Sequence, residues 1–255
     1  MHRIVQIVAF VCLMLIGSMG AKAQQSLVVV SNIYPPYVTE DVQNSFLPAL
    51  FDEIGKEMGV RFEFKILPWL RCEKQVENHD AWGAIPYRKT EDREKTFAFS
   101  EPIYLQDSHF FGYDADGHKP RATFDELTDL RGYRIGGING YYYEPWFEQA
   151  GLDVDYANSE EQNFRRLKAG RIDLFSTATT MGWHQIKTLF PPEEVAHFYT
   201  LDKPLVEGAG LYLMTAQTFP QNDVLLKRFN VALNTVKTTG TYGELVEKFG
   251  LKLRY

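Results

Sequence analysis

The residues of this chain that could do chemistry favour recognition over bond breaking. His79, His109, His118, His184 and His197 are scattered without metal-ligand spacing, and neither a Gly-rich phosphate loop nor a nucleophile elbow occurs. No metal site and no cofactor is therefore expected. Cys72 has no second Cys or His at motif distance and reads as a buried small residue near Trp69. What remains is a set of arginines and aromatics. A planar guanidinium can make two parallel hydrogen bonds to a carboxylate, and aromatic faces can hold a ligand's body by stacking or cation–π contact. Tyr34, Trp69 and Tyr87 each follow a candidate strand, where open α/β sheets place their ligand sites, or else they are ordinary core packing. Arg71 and Arg88 are further cationic donors if they face a cleft, and solvated surface residues if they do not. Tyr141 and Tyr142 follow Gly140 at the start of a candidate helix, where backbone N–H groups favour an anion.

The elements that must position these side chains alternate almost without interruption between strand-like and helix-like segments, as in an α/β fold. Leu27 to Val30 is a continuous apolar run suited to a buried strand. Phe46, Leu50, Ile54 and Met58 recur every four residues before Gly59, as an amphipathic helix with a glycine stop would. Val60, Phe62, Phe64 and Ile66 alternate as a half-buried strand, and Ala81 to Ile85 is a third. The polar stretch from Asp114 to Pro120 looks like a boundary. Beyond it, Thr123 to Glu126 and Ser159 to Gln162 have capping-box form, and Tyr133 to Ile138, Arg171 to Ser176 and Gly210 to Thr215 are strand candidates. Tyr141 to Ala150 predicts a helix ended by Gly151, and Asp223 to Phe249 predicts two helices separated near Gly240.

The ends and the composition bound the rest. Arg3, the apolar run from Ile4 to Ile16 and Ala21-Lys22-Ala23 read as a secretory leader cleaved after Ala23. That run is shorter than the roughly 20 residues a membrane-spanning helix needs. Export to the periplasm is expected, and residues 1–23 are set aside. Of the 27 basic residues, Arg3 and Lys22 lie in the leader, which leaves 25 against 33 acidic ones, a net charge near −8. This argues against a nucleic-acid or anionic-membrane surface. Only Cys72 lies beyond the leader, so no internal disulfide is expected. With about 100–150 residues per domain as the usual size, the chain predicts two lobes, 24–113 with 213–255 and 114–212. The tail returning to the first lobe makes the chain cross twice, near Phe111 to Asp116 and near Val206 to Thr215, a natural hinge.

The stretch from Gly83 to Ile103 resembles the bacterial extracellular solute-binding proteins of family 3, the receptors of polar amino acid ABC transporters. Thr90, Arg93, Phe99, Ser100 and Pro102 match that family's Thr-x-x-Arg and Phe-Ser-x-Pro steps. Tyr34 to Tyr37, Pro68-Trp69, Gly136 to Gly140 and Gly170 to Asp173 fall in family order, so the resemblance covers nearly the whole mature chain. It implies a periplasmic-binding-protein-like α/β fold, two lobes joined by two hinge strands with ligand bound in the cleft between them. It also implies that Arg93 grips a ligand carboxylate, against the alternative of a surface arginine paired with Asp92 or Glu94.

Two departures bear on the ligand. Tyr141 and Tyr142 stand where such proteins usually carry Ser or Thr, and Ala178 stands where amino-acid receptors commonly place an acidic residue for the ligand's ammonium group. The neighbours of Ala178, Thr177 and Thr179, offer only hydroxyls, which puts an ordinary α-amino acid in doubt. The expected function is capture of a small polar, carboxylate-bearing ligand by a monomer that hands it to an ABC permease, without catalysis. The alternatives are an exported prephenate- or arogenate-type dehydratase on the same scaffold, for which Glu101, Glu144 and Glu207 are the acids to inspect, and a ligand-sensing module without a transporter.

Overall fold

A computed structural model describes residues 24–117 and 121–251; the leader expected at 1–23 and the end of the polar stretch, 118–120, lie outside the described residues. No described helix is long and apolar enough to cross a membrane. The first half opens with β1 (Gln25–Ser31), α1 (Phe46–Met58), β2 (Val60–Ile66), α2 (Trp69–Glu77), β3 (Gly83–Tyr87), the short α3 (Glu91–Glu94) and β4 (Phe97–Phe99). After β5 (Tyr104–Tyr113) come β6 (Arg134–Ile138), α4 (Glu144–Ala150), β7 (Asp153–Ala157), α5 (Glu160–Lys168), β8 (Leu174–Ala178), α6 (Thr179–Leu189), α7 (Pro192–Val195) and β9 (Phe198–Thr200). The chain closes with β10 (Val206–Ala216), α8 (Asn222–Thr238) and α9 (Thr241–Lys248).

Hydrogen bonding joins the strands in the order β2-β1-β3-β10-β5-β8-β6-β7, with β4 on β10 and β9 on β5. β1 is parallel to β2 and β3, and β6 is parallel to β7 and β8. β10 pairs with β3 and β4 through Tyr212 to Ala216 and with β5 through Val206 to Leu211. Within β5, Tyr104 to Ser108 pair with β10, and Ser108 to Phe111 pair with β8 on the other side. The first crossing is thus made inside a strand, ahead of the polar stretch at Asp114, because ladder hydrogen bonds carry the backbone from one half to the other.

Local sequence explains most elements. In α1 the four-residue spacing buries Phe46, Leu50, Ile54 and Met58, and Gly59 stops the helix with φ +66°, a conformation costly for any side chain. Two expectations are shifted. The first capping box is built by Glu126 and Asp129 on a 3₁₀ turn at Leu127–Leu130, because the Asp129 carboxylate accepts the free N–H groups of Asp125 and Glu126. In the second, Ser159 Oγ accepts from Gln162 N at 3.3 Å, but the Gln162 side chain turns back to Asn158 N.

The C-terminal helices pack on the first half. Phe229 of α8 is fully buried with its ring 5.2 Å from Phe51, 5.9 Å from Trp82 and 6.4 Å from Phe62, and Tyr242 of α9 donates to Ile103 O at 2.9 Å. The same core continues past β5 to Phe111, Phe164 and Phe175, while a second cluster around Phe110, Tyr143 and Phe147 lies wholly in the second half. Phe229→Ala is expected to cost about 3–5 kcal/mol, read as a lowered urea midpoint; a loss below about 1 kcal/mol would mean that α8 is not part of this core.

Candidate functional site

The parallel strands of each half aim their C-terminal ends at one cavity, the arrangement in which open α/β sheets expose backbone and loop groups to a ligand. From the first half come Tyr34 after β1, Trp69 at the start of α2, and Tyr87 and Arg88 at the end of β3. From the second come Gly140, Tyr141 and Tyr142 after β6 and Ala178 at the end of β8. The crossing strands supply Gln106, Ser108 and Leu211. The cavity volume is about 40 Å³. One water needs roughly 10–15 Å³ of such space, so the cavity fits a small group, and a larger ligand requires the halves or the tyrosines to move.

Arg88 dominates the electrostatics. It is only 6 % exposed; its Nη2 donates to Gln106 O at 3.3 Å and to Ser108 Oγ at 3.1 Å, and its guanidinium carbon lies 4.9 Å from the centre of the Tyr142 ring. Its Nη1 is buried without a hydrogen-bond partner among the described residues. Gln106 Nε2 donates to the Tyr34 hydroxyl at 3.1 Å, leaving Gln106 Oε1 buried and unpaired. Burial pushes the hydroxyls of Tyr34, Tyr87, Tyr141 and Tyr142 above the ordinary phenol range, so they stay neutral.

Arg93 is differently engaged. Its Nη2 donates to Glu73 Oε1 at 2.5 Å and to Gly140 O at 3.1 Å, its Nη1 donates to Arg88 O at 3.2 Å, and it stacks over Tyr87 at 4.9 Å. Asp92 and Glu94, the partners a surface role would use, instead pair with Lys95 and Lys89. Arg93 therefore joins the two halves through the Gly140 carbonyl. Gly140 has φ +80°, and a Cβ there would sit 2.9 Å from Leu70 Cδ2, so the turn both needs glycine and seats against the first half.

Other expected residues fall elsewhere. Arg71 is exposed on α2 and does not line the cavity. Thr177 is fully buried opposite His109 in the β5–β8 ladder; strand alternation gives the cavity to its neighbour Ala178. The turn after Gly140 is already engaged at its first two N–H groups: Gly140 N donates to Glu144 Oε1 at 2.5 Å, Tyr141 N to Ile138 O at 3.2 Å, and α4 begins only at Glu144. Glu101 and Glu207 are exposed, Glu144 braces the Gly140 turn, and none of the three lines the cavity. Cys72 is buried, its thiol pushed up to about 12. Among the described residues, no group of three His, Cys, Asp or Glu side chains could hold a metal ion.

Four residues escaped the sequence reading: Gln106, Ser108, Glu73 and Glu160. Glu73 follows Arg71 and Cys72 on α2, and helical spacing from Trp69 could have placed it beside the cleft. Glu160, the first residue of α5, is 6 % exposed and accepts a hydrogen bond from the Tyr141 hydroxyl. Burial raises its carboxyl above the usual range, opposed by that hydrogen bond.

Parallel strands converging on a cleft that two strands cross define a two-lobed binding protein of the periplasmic type. The chain belongs to the bacterial extracellular solute-binding proteins, family 3, whose model matches residues 27–252. It is 26 % identical over 244 residues to the ABC transporter arginine-binding protein 1 of Escherichia coli K12, covering 90 % of this chain and 93 % of that protein. It is 23 % identical over 232 residues to the L-cystine-binding protein TcyJ of the same strain, covering 88 % and 81 %. An ancestral arginine-binding protein bound to arginine superposes with a TM-score of 0.74 at 23 % identity, covering 89 % of this chain and 98 % of the other. A histidine kinase sensor domain with similarity to periplasmic binding proteins superposes with a TM-score of 0.78 at 20 % identity, covering 91 % and 98 %. Both likenesses concern the fold.

The buried Glu160 carboxyl gives a signed expectation. A carboxyl whose folded pKa is raised contributes stability below its ordinary value of 4.5 and loses it as pH rises through the folded value. Glu160→Gln, which keeps an acceptor for Tyr141, should raise the melting temperature relative to the parent at pH 7, and the difference should shrink towards pH 4.5. An equal or growing difference on acidification would contradict the assignment.

Proposed function

We propose that this protein is a periplasmic receptor that captures a small carboxylate-bearing ligand between two hinged lobes and delivers it to an ABC-type importer, without catalysing a reaction. The observation that carries this reading is the cavity itself. It is lined from both halves, walled by aromatics and supplied with a buried guanidinium. The relatives are solute-binding proteins, and that is carried over here as a class and not as a ligand. The tail from residue 213 is taken to return to the first lobe, and the first boundary, expected at residue 113, is taken earlier, inside β5 ahead of Phe110, so that the lobes hinge where β5 and β10 cross.

The aromatics Tyr34, Trp69, Tyr141 and Tyr142 hold the ligand's body, and a buried guanidinium holds its charge. The dehydratase alternative needs a carboxyl group poised at the substrate, and no described Asp or Glu lines the cavity. A sensor without a transporter uses the same closure, so only the partner separates it from the reading adopted.

A thermal-shift screen of the mature protein against amino acids, dicarboxylates, polyamines, short sugars and prephenate-like acids tests the receptor. Specific binding at a hundredfold excess over Kd adds about 2.7 kcal/mol, enough to move the midpoint by several degrees. Shifts with the compound recovered unchanged support capture; a compound consumed during incubation, or no shift from any class, defeats the reading.

A further inference from the structure

Two arginines reach the cavity, but they are not equivalent. Arg93 already has a carboxylate partner in Glu73 and a carbonyl partner across the cleft in Gly140. Its side chain is 12 % exposed, Glu73's is 25 %, and the pair neutralises itself. Arg88 has no carboxylate partner among the described residues, its hydrogen bonds going to Gln106 O and Ser108 Oγ. Its two bonds from Nη2 go to a neutral carbonyl and a neutral hydroxyl, and its Nη1 is buried with none. Removing a cation from water without an anion is costly, so the folded chain holds this charge at a net expense that an anion entering the cavity would relieve.

The rest of the lining decides what kind of anion. No described Asp or Glu lines the cavity, and Ala178 stands at the end of β8. The buried carboxyl of Glu160 accepts from the Tyr141 hydroxyl and is not among the lining residues. An ammonium group brought in beside the ligand carboxylate would thus meet Arg88, tyrosine rings, Pro86 and Leu211, with no negative charge to receive it. The walls nonetheless suit an organic body: Trp69 and Tyr141 meet edge-on from the two halves with ring centres 6.3 Å apart, and Tyr34 stands edge-on to Trp69 at 5.7 Å.

On the receptor reading above, we infer that the site selects organic acids that carry no amino group, and that Arg88 is their anion anchor while Arg93, Glu73 and Gly140 form a latch between the halves. The ligand carboxylate takes the unpaired Nη1 of Arg88 as the cleft opens, and the unpaired Oε1 of Gln106, another lining residue, suits a hydroxyl or enol of the same ligand. Ligand capture and lobe closure are then assigned to different arginines.

Titration calorimetry with matched pairs tests this: glutamate and glutarate, phenylalanine and 3-phenylpropionate, arginine and 5-guanidinopentanoate, with sulfate alone as the inorganic probe. In the pair that fits, the amine-free acid is expected to bind at least tenfold more tightly than its amino acid. Arg88→Met should weaken that binding at least a hundredfold while the ligand-free variant melts no lower than the parent, since the substitution removes an uncompensated buried charge. Tighter binding of an amino acid, lost in Glu160→Gln, would overturn the inference and leave the receptor intact. Sulfate binding as tightly as the best organic acid would overturn it as well, and so would an Arg88→Met variant that melts lower with unchanged affinity. Binding by neither member of any pair, nor by sulfate, counts against the receptor reading and takes this inference with it.

Discussion

The antiparallel ladder between β5 and β10 is the set of hydrogen bonds on which both halves depend. Val206 to Leu211 of β10 pair with β5, and residues further along the same strand pair with β3 and β4. Because β5 leaves β10 to join β8, two adjacent strands carry the whole covalent connection between two groups of parallel strands. The same ladder brings Gln106, Ser108 and Leu211 to the cavity floor, so any rotation about these strands also moves the groups that hold Arg88. Hinge and site share their atoms, which is how a fold of this kind can couple occupancy to shape.

The electrostatics follow from what that floor lacks. Neutral oxygens from the crossing strand position the Arg88 guanidinium without cancelling its charge, whereas Arg93, a few residues on, meets Glu73 from the neighbouring helix. Arg93 sits there because the Thr90 hydroxyl caps the short turn of α3, accepting from Arg93 N at 3.3 Å. The second half closes on this pair through a glycine whose missing side chain lets Leu70 come near.

Much of this was legible in the sequence. Patterned segments such as Phe46–Met58 and Val60–Ile66 announce themselves because one face must be buried and the period reveals which. The Thr90 to Pro102 motif, and the aromatics that follow β1, β2 and β3, led to the cleft because strand ends recur at fixed places in an α/β sheet. What local pattern could not convey is pairing at a distance. Glu73 and Arg93 are 20 residues apart, Tyr141 and Glu160 are 19, and nothing in their neighbourhoods marks them as partners. Arg71 and Arg88 looked alike in sequence and separate only in three dimensions, one on the outer face of a helix and the other beneath a tyrosine. Thr177 was offset by a single position, the smallest error the twofold alternation of a strand allows and one that exchanges its two faces.

The burial of Cys72 has a consequence in redox chemistry. Thiol–disulfide exchange proceeds through the thiolate, and a thiol out of contact with water and held up to about 12 supplies almost none near neutral pH. Its Sγ donates to Leu67 O within the fold, beneath the start of α2. In an oxidising compartment a solitary accessible cysteine invites covalent dimers and mixed disulfides with small thiols. Cys72 is kept as packing and remains chemically silent towards both.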